Sequence, residues 1–299
     1  MPNSNNRGDN FALKKESKDP KVSGSLSPRI WLIGGTSEGL ALARLIIQAS
    51  LPCTVSVTTA SAECRYPRDA AVLKVQIQQF TPQALSTFLR AEKIAVILDA
   101  SHPHAAEIST LAMQAADAND IPYLRFERPA VDSHPDCVHS VETLASVLCE
   151  QYLLNRRVLL TLGAKALSQF RPWQSRSTLF ARILPSQVAL QAAIEAGFAP
   201  ECLIALRPPI SMGMERALWR QWRIDLVITK ASGQPGGEGI KRQVAAALQV
   251  DLIVIQRPRL VYPQQTSDME DAIAFCQKTL TQRRSPIQLP PTDEAQRPE

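Results

Sequence analysis

The sequence predicts an α/β protein built from two doubly wound, Rossmann-like or flavodoxin-like, parallel-sheet domains around a central cleft. Three observations support this fold class. Short apolar runs alternate with amphipathic helical segments, the alternation occurs in both halves of the chain, and polar or charged residues follow run after run. A chain of 299 residues is long enough for two such domains. Sheets of this type bind ligands at the carboxyl ends of their strands, so the functional residues are expected there.

The spacing of apolar residues predicts the order of the elements. Strands are predicted at 30–33, 53–58, 72–75, 94–98, 121–124, 158–162, 179–184, 202–206, 225–229 and 252–256. Helices are predicted at 38–49, 82–91, 104–118, 141–150, 187–196, 213–222, 237–248 and 268–281. Helix 141–150 lies between the two sets and fits either one. The predicted domains are therefore 28–150 and 151–283.

The two ends of the chain differ in composition from the rest. Residues 1–27 are rich in Asn, Ser, Gly and Lys, and residues 284–299 are rich in proline and polar residues. Neither segment shows periodic apolar positions, so both are predicted to be disordered. The first residues also lack the apolar core of a secretory signal, which favours a cytoplasmic location.

Composition excludes several classes of function. No apolar run approaches the ~20 residues that cross a bilayer, so a membrane role is not expected. The net charge of +5 is spread along the chain and aromatic residues make up 5%, a pattern that argues against nucleic-acid binding. The positive charge fits an acidic small molecule, or a solvated surface that binds nothing.

Cysteine and histidine spacing gives no sign of a metal site. The six cysteines form no C-x-x-C pair, which indicates free thiols in a reducing compartment. His102 and His104 are close in sequence, but no third ligand follows at a suitable spacing. We therefore expect neither zinc nor a disulfide.

A glycine turn joins the first predicted strand to the first helix. At residues 34–39 the turn combines free helix N–H groups, the positive end of a helix dipole and glycines that allow close approach of a phosphate. Gly34, Gly35, Thr36 and Glu38 are predicted to hold a coenzyme pyrophosphate and its neighbouring sugar, with the Thr36 hydroxyl donating. Glu38 also fits a favourable interaction with the helix dipole alone. No Gly-Lys-Ser/Thr follows, so an ATP-hydrolysing P-loop is disfavoured.

The residues after the second strand bear on the choice of coenzyme. NAD-specific folds usually place a carboxylate about 20 residues beyond the glycines, whereas this chain has hydroxyls, including that of Thr59, followed by Arg65. Neutral hydroxyls near an arginine suit a 2′-phosphate, which favours NADPH. Glu63 lies close to this position in sequence, and a carboxylate there suits the ribose hydroxyls of NADH. NADH is therefore the alternative.

Polar motifs follow several other predicted strands. Ser101, His102 and Pro103 come after strand 94–98 and are predicted to border the nicotinamide; their alternative role is turn formation. Further motifs occur at 125–129, 161–165, 181–185, 229–241 and 256–258. A purely structural role requires no such recurrence of charge at strand ends.

Taken together, the motifs at 34–39, 99–103, 125–129, 229–233 with Gly237, and 257–258 resemble the precorrin-6A and cobalt-precorrin-6A reductase family of cobalamin biosynthesis. The resemblance covers roughly residues 29–260 in order. It implies an enzyme with two α/β domains around a cleft, with the coenzyme on the first domain (28–150) and the substrate facing the second (151–283). Such an enzyme reduces one carbon–carbon double bond of a corrin precursor with a nicotinamide coenzyme. The chain departs from the family pattern at Ser101, near His104 and at Ala231.

The implied substrate is a tetrapyrrole with acetate and propionate carboxylates, which arginine and lysine recognise well. Residues predicted to bind it are Arg125, Arg128, Gly163, Arg182, Lys230, Ser232, Gly233 and Lys241. Ser37 and His102 are the predicted catalytic residues, and a solvent proton is the alternative to either as donor.

Two other classes of function remain open at this point. One is an S-adenosylmethionine-dependent transferase on the same scaffold, and the other is a non-catalytic nucleotide-sensing module. The sequence indicates neither an oligomeric state nor whether the substrate contains cobalt.

Overall fold

The computed structural model describes residues 27–131 and 135–284. The disorder predicted for 1–27 and 284–299 falls outside these residues, except at positions 27 and 284 themselves. Within the described part, no helix has the length and apolar character needed to cross a membrane.

The described chain contains two six-stranded parallel sheets with helices packed against them, which confirms the predicted fold class. The strands are β1 (Arg29–Ile33), β2 (Cys53–Val57), β3 (Leu73–Ile77), β4 (Ile94–Asp99), β5 (Tyr123–Phe126), β6 (Val138–Val141), β7 (Arg157–Leu160), β8 (Thr178–Ile183), β9 (Leu203–Ala205), β10 (Leu226–Lys230), β11 (Asp251–Ile255) and β12 (Gln265–Thr266). The α-helices are α1 (Ser37–Gln48), α2 (Ala60–Glu63), α3 (Pro82–Ala91), α4 (Ala106–Ala118), α5 (Glu150–Leu153), α6 (Gln187–Glu195), α7 (Met212–Gln221), α8 (Glu238–Leu248) and α9 (Met269–Arg284). A 3-10 helix over Ala164–Trp173 was not predicted.

Hydroxyl side chains begin many of these helices. The side chains of Thr36, Thr59, Thr81, Ser186 and Ser211 each accept a hydrogen bond from a backbone N–H in the first turn that follows. Such caps satisfy N–H groups that have no partner within the helix. They explain why most predicted helix starts lie within two residues of the observed ones.

The membership of the sheets differs from the predicted division at residue 150. The first sheet has the order β12-β5-β4-β1-β2-β3, and the second has the order β6-β11-β10-β7-β8-β9. β6 precedes residue 150 but pairs with β11, and β12 returns to pair with β5. The chain therefore passes between the sheets twice, once between β5 and β6 and once between β11 and β12.

The predicted helix 141–150 is wrong over most of its length. Val138–Val141 forms β6, a 3-10 turn follows at Ala145–Val147, and only α5 beyond it is helical. Val138 lies opposite Leu252 and Val141 opposite Ile255 in the second sheet. The backbone here finds its hydrogen-bond partners on the edge of a strand more than a hundred residues away, which local periodicity does not reveal.

Each sheet reverses its strand order once. In the first sheet the chain runs outward from β1 to β3 and then returns to β4 on the other side of β1; in the second sheet it runs from β7 to β9 and returns to β10. The crevice outside the carboxyl ends of strands at such a reversal is where doubly wound sheets bind ligands. The residues that follow β1, β4, β7 and β10 are therefore the candidates for a site.

Candidate active site

The turn between β1 and α1 presents free N–H groups to solvent. Gly35 is exposed with φ +101°, and a Cβ atom placed there would meet nothing within 4 Å. Its own N–H donates to the Tyr66 hydroxyl at 3.0 Å. The N–H groups of Thr36, Ser37 and Glu38 have no acceptor within the described part of the chain. These three groups at the start of a 12-residue helix suit an anionic ligand.

Thr36 has a different role from the predicted one. Its hydroxyl donates to the Ala100 carbonyl at 2.7 Å and accepts from the Gly39 N–H at 3.0 Å. The hydroxyl proton is therefore already used within the protein, which corrects the expectation that it donates to a phosphate. The bond to Ala100 instead attaches the start of α1 to the turn that follows β4.

Gly34 is required by its neighbour Tyr66, which sequence reasoning did not identify. A Cβ on Gly34 would collide with the Tyr66 hydroxyl and would lie 2.9 Å from Val55. Tyr66 is 3% exposed, so its ring has no free direction in which to move. Gly34 thus shapes the turn, while Gly35 and the helix N–H groups face the ligand side.

A buried network holds the turn after β4. Asp99 is fully buried and accepts hydrogen bonds from Arg125 Nη1 at 2.9 Å, Tyr123 Oη at 2.7 Å and Ser109 Oγ at 2.6 Å. Arg125 also donates to Ser101 Oγ at 2.9 Å. Every oxygen of this buried carboxylate is satisfied, as a buried charge requires. The network sets the position of Ser101 and of the residues next to it.

Arg125 consequently does not face the cleft as predicted. It is 1% exposed, and Asp99 and Glu127 both form ion pairs with its guanidinium. A buried guanidinium must be paired, and here the protein supplies both partners. Arg125 therefore positions the turn, and at 1% exposure it does not reach a large ligand.

His102 is neutral at physiological pH. Removal from bulk water and the nearby cations Arg128 and Lys230 lower the pKa of His102 to about 3. The His104 N–H donates to His102 Nδ1 at 3.2 Å, which leaves the proton of the neutral ring on Nε2. His102 therefore offers an N–H donor on a partly exposed ring, and Pro103 beside it is buried.

A buried ion pair joins the start of α1 to the loop that follows β10. Arg128 Nη2 lies 2.6 Å from Glu38 Oε2, and Arg128 Nη1 donates to the Ser232 carbonyl at 2.7 Å. Ser37 Oγ donates to the same Glu38 oxygen at 2.9 Å. A Cβ on Gly233 would stand 2.9 Å from Arg128 Cδ, so the glycine allows this approach. These contacts bring the predicted coenzyme turn and the predicted substrate loop together.

The Arg257 side chain connects the two chain segments that cross between the sheets. Its guanidinium donates to Glu127 Oε1 at 2.5 Å, to the Arg128 carbonyl at 2.7 Å and to the Pro129 carbonyl at 3.2 Å. Its Nε donates to the Ala231 carbonyl at 3.1 Å. One side chain thus ties the first crossing, the second crossing and the end of β10 to each other.

A cavity of about 650 Å³ is lined mainly by residues of the second sheet's side, with His104 from the first. His104 follows β4, Lys230 ends β10, and Lys165 belongs to the 3-10 helix after β7. Neither lysine forms an ion pair with any described carboxylate. Burial and the neighbouring Lys165 lower the pKa of Lys230. The cavity thus contains positive charge that nothing in the described chain neutralises.

Other groups in the cavity are also open to a ligand. His104 Nε2 is buried without a hydrogen-bond partner among the described residues. Burial, Lys230 and Arg257 lower the pKa of His104 to about 4, so this ring is neutral too. Gly163 is exposed with φ +83° just before the 3-10 helix that carries Lys165.

Two predicted substrate residues lie away from this cavity. Arg182 is 8% exposed and pairs with Glu215 at 2.6 Å, and Lys241 is 2% exposed and donates to the carbonyls of Gly236 and Gly237 at 3.2 Å each. Burial and the neighbouring Arg182 lower the pKa of Lys241 to about 8. Both side chains contact residues of the second half of the chain and lie away from the cavity. This corrects the expectation that they face the cleft.

The end of β2 carries the residues predicted to select the coenzyme. The Thr59 hydroxyl accepts from the Ala62 N–H at 3.2 Å and caps α2, and Arg65 is partly exposed without an ion-pair partner among the described residues. Arg207, from the loop after β9, reaches across to Ser61 Oγ at 3.3 Å. Sequence reasoning missed this contact because the two residues are 146 positions apart.

Lys165 and His104 were also missed as cavity residues. The sequence did contain a signal for Lys165, since it belongs to the motif after the sixth predicted strand, but the arginines at other strand ends received more weight. No group of three metal-ligating side chains occurs in the described ranges, and all six cysteines there are free thiols.

Comparisons with known proteins give a consistent result. The family model described as "Precorrin-6x reductase CbiJ/CobK" matches residues 29–277. A cobalt-precorrin-6A reductase from Synechocystis is 46% identical over 84% of this chain and 97% of its own length. A precorrin-6A reductase from Rhodococcus erythropolis is 33% identical over 85% of this chain and 99% of its own length.

A solved structure, "CobK precorrin-6A reductase", superposes with a TM-score of 0.68 and covers 84% of this chain and 97% of that one. At 21% sequence identity it bears on the fold alone.

Proposed function

This chain belongs to the precorrin-6x reductase CbiJ/CobK family, and we propose that it reduces one carbon–carbon double bond of precorrin-6A, or of its cobalt-containing form, with a nicotinamide coenzyme. The product would be precorrin-6B or cobalt-precorrin-6B in corrin ring biosynthesis. The names of the relatives support neither an S-adenosylmethionine-dependent transferase nor a nucleotide-sensing module.

The observation that carries the proposal is the cavity with its two lysines that no described carboxylate neutralises. The loop that follows Lys230 is joined to the glycine turn through Arg128, which contacts Ser232 and Glu38. A tetrapyrrole with several carboxylates needs positive charge that the protein does not already neutralise, and Lys165 and Lys230 supply it. Lys230 is the predicted substrate residue that best fits this role. Gly163, with no side chain, leaves room for the macrocycle at the same edge.

The described residues also fit a nicotinamide coenzyme. The N–H groups of Thr36, Ser37 and Glu38 would hold its pyrophosphate, with Gly35 allowing the close approach. When bound, the coenzyme supplies the hydride. Ser101, His102 and Pro103 would border the nicotinamide, with His102 donating through Nε2–H. We propose NADPH as the coenzyme because hydroxyls and arginines, rather than a paired carboxylate, occupy the end of β2.

The protein's own contribution is to hold the two ligands together. The Glu38–Arg128–Ser232 connection keeps the coenzyme turn close to the end of β10, which makes the hydride transfer an intramolecular step. The second carbon of the double bond then takes a proton. We assign that proton to solvent in the cavity, because the Ser37 hydroxyl already donates to Glu38 and His102 is not an imidazolium.

An absorbance assay of NADPH consumption tests this proposal. The purified protein should oxidise NADPH in the presence of precorrin-6A or cobalt-precorrin-6A, and comparing the two would identify the preferred substrate. A parallel titration should show the nicotinamide fluorescence changing as NADPH binds. Binding of S-adenosylmethionine without any NADPH response would contradict the proposal.

A further inference from the structure

We propose that Arg207, contributed by the second sheet, completes the binding site for the coenzyme's 2′-phosphate at the carboxyl end of β2. The inference rests on the proposed function, because it assigns one residue of the coenzyme site. It adds that both sheets, rather than the first alone, hold the coenzyme and determine its identity.

The location follows from the topology of the first sheet. β2 lies next to β1, and in doubly wound folds the adenosine ribose of a dinucleotide lies beyond the end of this second strand. Residues 58–61 occupy that position and are exposed, and three of the four carry hydroxyls. Hydroxyls are hydrogen-bond donors to a phosphate, and they do not repel it as a carboxylate would.

The charge at this place comes from both halves of the chain. Arg207 Nη2 lies 3.3 Å from Ser61 Oγ, so its guanidinium is at the end of β2 although its backbone belongs to the loop after β9. Neither Arg207 nor Arg65 forms an ion pair with a described carboxylate, and the same holds for Arg68, which donates to the thiol of Cys64 at 3.3 Å. One arginine at the strand end and two in the segment after α2 thus lack carboxylate partners in the described ranges, which favours an anionic ligand here.

The hydrogen bond to Ser61 distinguishes Arg207 from the other two arginines. A guanidinium that is already oriented by a hydroxyl loses less freedom when it binds a phosphate, and its two N–H groups on one side match two phosphate oxygens. A phosphate bound between Ser61 and Arg207 would connect the two sheets beyond the ends of β2 and β9. Arg128 already joins them near β1 and β10.

The test compares ligands with and without the 2′-phosphate. Binding of 2′,5′-ADP and of 5′-AMP, and of NADPH and NADH, is measured by calorimetry or fluorescence for the wild type and for Arg207→Gln. We expect Arg207→Gln to weaken 2′,5′-ADP and NADPH binding by about 10-fold to 100-fold, the loss of one charge-assisted interaction. Affinity for 5′-AMP and NADH should stay within about twofold, since these ligands lack the group recognised.

Arg207→Lys and Arg171→Gln are the matched variants. Arg207→Lys retains the charge without the fork and should recover part of the lost affinity. Arg171 is an exposed arginine on the 3-10 helix, and its substitution should change neither ligand preference.

The inference is overturned if Arg207→Gln binds 2′,5′-ADP as the wild type does, or if it weakens binding of all four ligands equally. A wild type that binds NADH as tightly as NADPH would overturn both the choice of NADPH and this inference. A wild type that prefers NADPH but does not reduce the tetrapyrrole would contradict only the proposed reaction.

Discussion

At the scale of single residues, the basic side chains form two groups: those that already contact a carboxylate or carbonyl of the protein, and those that do not. Arg125, Arg128 and Arg182 have buried carboxylate partners, and Lys241 has two backbone carbonyls. Lys230, in contrast, is half-buried in the cavity and has neither kind of partner in the part of the chain that the structure describes. A buried charge without a partner is costly, so the paired residues are explained by stability, and the unpaired lysine is explained by a ligand.

Lys230→Gln is the direct test of this division. The substitution removes a charge but keeps a hydrogen-bond donor of similar length, so we expect KM for the tetrapyrrole to rise by about 10-fold to 100-fold. KM for NADPH should change little, because the proposed coenzyme turn does not involve this residue. Steady-state kinetics with each substrate varied in turn measures both. An unchanged KM for the tetrapyrrole would remove Lys230 from the binding site.

The pKa of Lys241 predicts a specific dependence of stability on pH. Burial and Arg182 lower it from 10.5 to about 8 in the folded protein. Between these values the unfolded chain binds more protons than the folded one, so the free energy of unfolding rises with pH, by at most about 1.4 kcal/mol per pH unit. Below pH 8 the amine is protonated in both states, and its contribution no longer changes.

Urea unfolding of the wild type and of Lys241→Met across this range checks the prediction. The variant lacks the titrating amine, so its free energy of unfolding should rise less steeply with pH than that of the wild type. All other titrating groups are common to both proteins and cancel in the difference. Parallel pH profiles would show that Lys241 titrates at its ordinary pKa.

At the scale of elements, the turns after β1 and β10 are built for different purposes. The turn after β1 is open: Gly35 faces empty space, and the helix N–H groups behind it are free. The turn after β10 is closed: Gly233 is buried, its N–H donates to Glu238 Oε2 at 2.9 Å, and Arg128 lies against its Cα. The first turn therefore receives a ligand, and the second receives a side chain from the other sheet.

Gly233→Ala should therefore damage both stability and activity. The residue has φ +70° and ψ −177°, a conformation that is essentially restricted to glycine and costs another residue about 1–3 kcal/mol, and the new Cβ would press on Arg128 Cδ. We expect a lower thermal midpoint and a lower kcat, because Arg128 can no longer hold the two sheets in register.

Gly213→Ala is the control for this substitution. Gly213 lies in α7, and a Cβ there meets nothing within 4 Å, so alanine should leave kcat unchanged and stabilise the helix by about 0.5–1 kcal/mol. Equal effects of the two substitutions on kcat would contradict the role given to Gly233.

At the scale of the whole molecule, each sheet contains a strand from the other half of the sequence. β6 lies in the second sheet although it precedes β7, and β12 with α9 lies on the first sheet although they follow β11. Ala272, Cys276 and Leu280 of α9 are buried in the same apolar cluster as β1 and β4. Neither sheet is complete when the chain is cut between its two halves.

Fragments of the chain test this arrangement. Residues 27–131 joined to 261–284 through a flexible linker should fold and melt cooperatively, because the fusion contains all six strands of the first sheet and its α9 cover. Residues 28–150, the domain predicted from sequence, should not, since the surface that α9 covers would be exposed. Circular dichroism during heating distinguishes the two. A cooperative transition in the shorter fragment would show that α9 is dispensable.

The sequence by itself determined the fold class, most strands and helices, the glycine turn and the positions of the strand-end motifs. Each of these depends on residues a few positions apart: apolar periodicity, a hydroxyl cap, a glycine between a strand and a helix. Only the tertiary structure decided which arginines are paired, that β6 and β12 lie in the opposite sheets, and that Lys165, Lys230 and Arg207 form no ion pair within the described ranges. Those outcomes depend on contacts between residues 26 or more positions apart, such as Asp99 with Arg125, Glu38 with Arg128 and Ser61 with Arg207, and no local pattern specifies such contacts.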